Sequence, residues 1–320
     1  MTRQSFIWTI FFTTTVSTVF YSCTSQTATE NNGEKIIVAA TQTTAAFDYA
    51  YEKDGKIYAY NESSKTDTLI IDGMNPCISP SGQQIAFTES PNNNDRQISI
   101  IDLQTKKKKR LAVNNNNFYG AMWSPDGKYI AFNYYTHDSA IWQIGIIDSS
   151  NKNFKSLTNF SKWGSGAYSP TWTPDSKKII AHDLTTIYIY GLDGKVIKTY
   201  SVDSIAKDHG ISSNTRFFLT DNKFIFNGTS DDSTVVDTVG EGEAWVPDAI
   251  YAYNLQGKSV NRITPKGLDC SEFYLQGIDD ILFTAYNAET RKRPIYKIKS
   301  DGQNLQLLFD NGGEISARQK

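Results

Sequence analysis

Histidine comes first among the side chains that could do chemistry, and the chain holds only His137, His182 and His209. Metal centres take imidazole, thiolate or carboxylate ligands, and a catalytic helix presents two of them at fixed spacing, as in H-E-x-x-H. No H-x-x-H or H-E-x-x-H pair occurs here. The three histidines lie in separate stretches, so a shared metal needs three distant loops to converge. The plainer reading is three unrelated polar residues, and no metal or cofactor is expected. The cysteines are Cys23, Cys77 and Cys270. None forms a C-x-x-C pair, which removes the zinc-ribbon and thioredoxin-type readings. The nucleophile elbow G-x-S-x-G is also absent, so a serine hydrolase of the α/β type is excluded. No catalytic residue is expected.

The second chemical feature is an acidic stretch, residues 228–248 (GTSDDSTVVDTVGEGEAWVPD), which has no Lys or Arg. Asp231, Asp232, Asp237, Glu241 and Glu243, with Trp245 as an aromatic anchor, form the candidate surface for a basic partner. Calcium also takes clustered oxygen ligands, but the D-x-[DN]-x-[DN]-G spacing is missing. The alternative is a solvated acidic loop. Residues 106–110 (KKKKR) are read as a solvated turn, because nucleic-acid binding needs a wider basic face with stacking aromatics.

Length and composition bound the frame that holds these residues. The chain has 320 residues, 39% hydrophobic and 13% aromatic, enough for a large core. A formal net charge of −2 gives no electrostatic case for nucleic acid. Abundant Tyr and Phe suit pleated sheets.

The frame is a repeat. Residues 121–133 read AMWSPDGKYIAFN, 77–88 read CISPSGQQIAFT and 171–182 read TWTPDSKKIIAH. In Ser124-Pro125-Asp126-Gly127, Pro presets φ, Asp bonds its own backbone and Gly takes the φ > 0 position of a tight turn. A second unit recurs as Ile57-Tyr58-Ala59-Tyr60, Ile98-Ser99-Ile100-Ile101-Asp102, Ile144-Gly145-Ile146-Ile147-Asp148, Ile187-Tyr188-Ile189-Tyr190, Ile250-Tyr251-Ala252-Tyr253 and Ile295-Tyr296-Lys297-Ile298. A spacing of about 45 residues is that of propeller blades, each a four-stranded sheet. The expected fold is all-β: one β-propeller of six four-stranded blades, with seven as the alternative. The acidic stretch is where the period lengthens, between the units at 187 and 250, and insertions in repeat proteins form loops. Asp126 and Asp175 are read as turn residues, and Trp123 and Trp172 as sheet-to-sheet packing. His182 takes the place that Thr88 and Asn133 hold in sister blades. The remaining blade starts from 35–40 (KIIVAA) and 47–52, with the terminus that closes it left open.

These repeats resemble the TolB-like, WD-related propeller family, whose signature is S-P-D-G-K-x-I-A-F followed by I-Y-x-x-D and R-L-T. Ser124 to Phe132 matches closely, and Ser79 to Phe87 and Thr173 to Ala181 match with substitutions. The resemblance covers roughly residues 45–310 and implies a propeller; one fold hosts many functions, so it implies no particular activity. Propellers are also the frame of some metal-dependent lyases, which keeps a lyase or hydrolase acting on a glycan at the channel mouth as the alternative function.

At the start, Arg3 precedes an apolar run, 6–20, followed by Tyr21-Ser22-Cys23. A small residue before Cys at the end of an apolar run resembles a bacterial lipoprotein signal. The expected division is a signal peptide over 1–22, a polar tether over 23–34 lipidated on Cys23, and a propeller over 35–320. The expected function is a non-enzymatic scaffold at an envelope membrane, outer membrane foremost, for a protein or glycan partner. Cys77 and Cys270 fall two blades apart, too far for a disulfide, and are expected as buried thiols.

Overall fold

In the computed structural model the described residues are 46–92, 95–161, 166–232, 237–238, 244–287 and 290–319. The signal segment, Cys23, the tether, the expected strand at 35–40, Glu241 and Glu243 lie outside them; for Asp237 and Trp245 only the backbone is described.

Six four-stranded antiparallel sheets follow one another along the chain. Blade 2 is Met74–Ile78, Gln84–Glu89, Gln97–Asp102 and Lys108–Arg110. Blade 3 is Phe118–Trp123, Tyr129–Thr136, Ile141–Asp148 and Lys155–Ser156. Blade 4 is Tyr168–Trp172, Lys178–His182, Thr186–Gly191 and Val196–Ser201. Blade 5 is Phe217–Leu219, Lys223–Thr229, Asp248–Asn254 and Ser259–Arg262. Blade 6 is Asp269–Gln276, Asp280–Tyr286, Ile295–Lys299 and Gln306–Phe309. Blade 1 is closed by both ends of the described chain: Ile315–Ala317 is its inner strand, followed by Tyr49–Lys53, Lys56–Asn61 and Thr66–Asp72. Tyr49, Ala50 and Tyr51 pair with Ala317, Ser316 and Ile315. The closing strand, left open by the sequence, is therefore C-terminal. Pairing it across the seam removes two sheet edges.

The middle strands are buried on both faces because each blade is sandwiched between neighbours. Gln97–Asp102 is buried at Ile98, Ser99, Ile100 and Ile101, whereas the outer strand Lys108–Arg110 is exposed throughout. The basic run thus lies partly in an outer strand, with Lys108 on Glu89 at 2.5 Å. One helical turn, Val202–Ala206, capped by Ser201, packs Val202 and Ile205 into the apolar cluster of blades 4 and 5.

The S-P-D-G turns join inner to second strands. Gly127 has φ 71°, and the Ser124 hydroxyl donates to Asp126 Oδ1 at 2.8 Å while accepting from the Tyr129 N–H at 3.0 Å. Thr173 and Asp175 repeat the arrangement, with a 2.6 Å bond from the hydroxyl to Asp175 Oδ1. Asp126 also donates its N–H to Ser176 Oγ of the next blade's turn at 3.0 Å. Both carboxylates are turn residues. Trp123 and Trp172 are buried between blades, and the Trp172 indole N–H donates to the Met122 carbonyl at 3.0 Å.

Candidate functional site at the funnel mouth

Where the inner strands begin, away from the S-P-D-G turns, the sheets surround a cavity of about 690 Å³. Strand pairing shows how it is built. Cys77 pairs with Ala86, Met122 with Ala131, Thr171 with Ile180, Phe218 with Ile225, Tyr274 with Leu282 and Ser316 with Ala50. These are equivalent positions, one per blade, and all six are buried; the most exposed, Phe218, is 5% exposed. They form a floor across the axis. The Trp123 N–H donates to Cys77 Sγ at 3.4 Å, the Ile78 N–H to Ser316 Oγ at 3.0 Å, and Cys77 and Tyr274 share a side-chain hydrogen bond. The cavity is therefore a blind funnel. Burial pushes the Cys77 thiol up to about 11, so it stays protonated and inert. Cys77 and Cys270 are both buried and free.

Two residues before each floor residue stand Asn75, Gly120, Ser169, Arg216, Glu272 and Glu314, and all six line the funnel. This ring, one residue per blade, is the rim. In blades 2, 3 and 4 the inner strand carries a bulge between rim and floor, with positive φ at Asn75 (50°), Gly120 (70°) and Ser169 (51°). Bulges re-aim side chains and interrupt pairing, and they recur beside functional sites.

Behind the rim, the second strands hold one polar side chain each at an equivalent position. Thr88 Oγ1 accepts the Gly120 N–H at 3.3 Å, and Asn133 accepts the Ser169 N–H at 3.1 Å while donating to the Ala167 carbonyl at 3.0 Å. His182 Nε2 donates to the Thr215 carbonyl at 2.9 Å, Asn227 to the Ser271 carbonyl at 3.1 Å, and Thr284 to the Gly313 carbonyl at 2.8 Å. Each is a clasp from one blade to the segment entering the next. Blade 1 has Glu52 at this place, and a second cavity of about 600 Å³ opens at the seam there, sharing Asn75, Glu272, Arg293 and Glu314 with the funnel.

The three histidines do not meet. His182 is fully buried, its Nδ1 accepting the Leu184 N–H at 3.2 Å, and desolvation holds its pKa down at about 4. His209 stacks on Tyr251, with ring centroids 3.7 Å apart, and its Nδ1 bonds the Thr229 carbonyl. His137 is exposed and bonds Asn116. Among the described residues no three His, Cys, Asp or Glu side chains are grouped to hold a metal.

The acidic insertion leaves blade 5 between Thr229 and Asp248, at the funnel end of those strands, and Val246 and Asp248 line the funnel. Its root is tied down. Arg262 NH1 contacts Asp231 Oδ1 at 2.7 Å and Arg262 NH2 contacts Asp232 Oδ2 at 2.9 Å, while the Gly267 N–H also donates to Asp232 Oδ2. The Asp232 side chain is 2% exposed, so it anchors the insertion from inside; Asp231 is half in solvent. The backbones of Asp237 and Trp245 pair in a short two-stranded ladder.

Charge at the mouth is uneven. Arg96 lies over Tyr119 at 3.9 Å and donates to Asn117, and Arg293 pairs with Glu272 at 3.1 Å. Glu314 is pushed up to about 7 by desolvation and by the nearby Glu272 and Glu52 carboxylates, and accepts a bond from the Asn75 amide. Burial pushes Asp248 up to about 6, with Asp269 adding to the shift. Arg216, the rim residue of blade 5, has no ion pair or side-chain hydrogen bond among the described residues. The sequence reading missed this ring, although counting four residues back from Ser79, Ser124 and Thr173 locates it in blades 2, 3 and 4.

The family model for the prolyl oligopeptidase N-terminal β-propeller domain matches residues 28–157. No curated protein matches the sequence. Among solved structures the chain is similar to TolB from Acinetobacter baumannii, at 17% identity and TM-score 0.61, covering 86% of this chain and 67% of that one. It is similar to a TolB-type protein from Agrobacterium tumefaciens, at 17% identity and TM-score 0.56, covering 84% and 92%. The β-propeller domain of the Trilobed protease from Pyrococcus furiosus, which has an open velcro topology, matches at 15% identity and TM-score 0.53 over 83% and 96%. Here, in contrast, Ile315–Ala317 closes the ring. In fold, the chain is a six-bladed β-propeller, similar to the propeller of TolB.

Proposed function

We propose that this protein is a non-enzymatic binding propeller of a bacterial envelope, anchored through a lipid on Cys23, that receives a protein or glycan partner at the funnel mouth. The observation that carries the reading is the blind funnel with a rim drawn from all six blades, polar in every blade but the third. Its volume lies in the range of binding clefts, and its lining offers amides, hydroxyls and charges rather than a nucleophile–base pair. The roots of the insertion, at Thr229 and Asp248, stand at the funnel end of blade 5, and the reading assigns Asp231, Asp237, Glu241, Glu243 and Trp245, with Asp232 as their inner anchor, to the same contact surface. A metal-dependent lyase or hydrolase would draw on histidines, and each of the three is engaged by its own neighbours.

The test is site-specific photo-cross-linking in producing cells. A photoreactive residue at Asn214, exposed at the mouth, is compared with one at Ile278, 60% exposed by the S-P-D-G turns. A discrete adduct from Asn214 that is absent from Ile278 supports the reading. Equal adducts from both faces, or none from Asn214, overturn it.

A further inference from the structure

We infer that the funnel is a receptor for the free C-terminal carboxylate of a polypeptide, with Arg216 as its anchor. The inference rests on the binding reading above and names the chemistry of its ligand. Three arginines border the funnel, and two are spent: Arg96 on Tyr119 and Asn117, Arg293 on Glu272. Arg216 is half-buried, borders the cavity and has no partner among the described residues. Its charge is felt at Tyr119 of blade 3, at Cys77 of blade 2, at Tyr274 of blade 6 and at Glu314 of blade 1, so the guanidinium acts toward the axis rather than outward. A half-buried guanidinium with free donors is satisfied by a planar anion, and a carboxylate accepts its fork in a two-bond pair.

The blind floor decides which carboxylate. A polymer cannot thread past Ser316, Cys77, Met122, Thr171, Phe218 and Tyr274, so it enters by an end. Every polypeptide ends in a carboxylate, whereas a uronate chain carries its charges along its length. The blade 5 side suits such an end. The Arg216 N–H is held by Asn227 Oδ1 at 3.2 Å, and His182 fixes the preceding Thr215 carbonyl, so the anchor stands on a rigid base. Of the neighbouring carboxyls, Glu272 is paired with Arg293 and Glu314, raised to about 7, keeps about half its protons at neutral pH, whereas Asp248, raised only to about 6, is mostly ionised there and opposes the anion.

The experiment uses the full-length protein in detergent with fluorescein-labelled hexapeptide mixtures, randomised in sequence, that end in a free carboxylate or in a carboxamide. An oligogalacturonate is run beside them. The expected result is at least about tenfold stronger retention of the carboxylate mixture, as a charge-assisted bidentate pair provides, with the difference lost in Arg216→Gln. Thermal unfolding of Arg216→Gln confirms that the variant is folded, and Arg216→Lys is expected to restore only part of the preference. Equal retention of both mixtures, or an Arg216-independent preference, overturns the inference. So does no retention of either mixture, or an Arg216-dependent preference for the uronate. If the Asn214 cross-link persists through any of these results, the binding reading stands while the carboxylate assignment falls.

Discussion

His182 Nε2 donates to the carbonyl oxygen of Thr215 at 2.9 Å, from a fully buried ring in blade 4 to the segment that enters blade 5. The next residue is Arg216, so a histidine with the look of a catalytic group instead fixes the backbone beneath the rim cation. The imidazole does the work that Thr88, Asn133, Asn227 and Thr284 do at their own seams.

That role makes His182 acid-sensitive. Its folded-state pKa is held at about 4, below the ordinary 6.5. As pH falls from about 6.5 to about 4, the unfolded chain takes a proton that the folded chain refuses, so stability is lost across that window. His182→Asn, which copies blades 3 and 5, is expected to keep the clasp and remove this component. Urea midpoints at pH 7.5, 5.5 and 4.5 check it; an unchanged acid slope in the variant contradicts the assignment. His182→Ala leaves the Thr215 carbonyl without its donor and is expected to cost about 1–3 kcal/mol before any cavity effect.

Glu314 has the opposite sign. Its carboxyl is raised from 4.5 to about 7, through desolvation and the facing Glu272 and Glu52, with Arg216 and the Asn75 amide opposing the shift. Between these values the folded protein keeps a proton that the unfolded chain has released. The resulting stability is present below about 4.5 and lost as pH rises through about 7. Glu314→Gln preserves an acceptor for Asn75 and is expected to be more stable than the parent at pH 8 and no more stable at pH 4.5. Equal midpoints at pH 8 would falsify this account.

The same rim shows where sequence reading succeeds and stops. The repeat register alone puts His182 in the place of Asn133 and Thr88, and S-P-D-G locates the turns. The blade count also follows from the period. Other features carry weak local signals. Ile315–Ala317 is three residues long and becomes a strand only because Tyr49–Lys53 offers an edge. The bulges at Asn75 and Ser169 put non-glycine residues at positive φ, which propensity does not anticipate. Acidic composition marks the insertion, but it cannot show that Asp232 is turned inward by Arg262.

That anchor gives a third expectation. Arg262 spends its donors on Asp231, Asp232, Ser230 and the carbonyls of Thr264 and Pro265. Among the described residues, Arg262→Ala leaves Asp232, 2% exposed, with only Lys266 at 3.8 Å as a cation. Breaking a buried pair this way costs about 3–5 kcal/mol. Denaturant unfolding should show that loss, while Asp231→Ala, on the half-exposed partner, should cost about 1 kcal/mol or less. Similar losses in both variants would mean that the Arg262–Asp232 pair is not the anchor.

The seam between blades 1 and 6 rests on the last few described residues. Arg318 binds Asp48 through Nε at 3.0 Å and NH2 at 2.9 Å, and its N–H donates to the Asp48 carbonyl. The Arg318 carbonyl accepts from Gln276 of blade 6, and Gln319 bonds both the Leu275 carbonyl and the Gly277 N–H. Ile315–Ala317 and its flanks therefore tie the first blade to the last, as well as capping a sheet edge. Removing residues 315–320 exposes the edge of Tyr49–Lys53, a strand with a buried Tyr-Ala-Tyr run, and opens the floor at Ser316. Exposed apolar edges recruit further strands. The truncated protein is expected to unfold at lower denaturant and to self-associate in sedimentation velocity. Arg318→Ala, which keeps the strand, should lower the midpoint while leaving the protein monomeric. A truncated chain that stays monomeric with an unchanged midpoint would show that the ring does not depend on this closure.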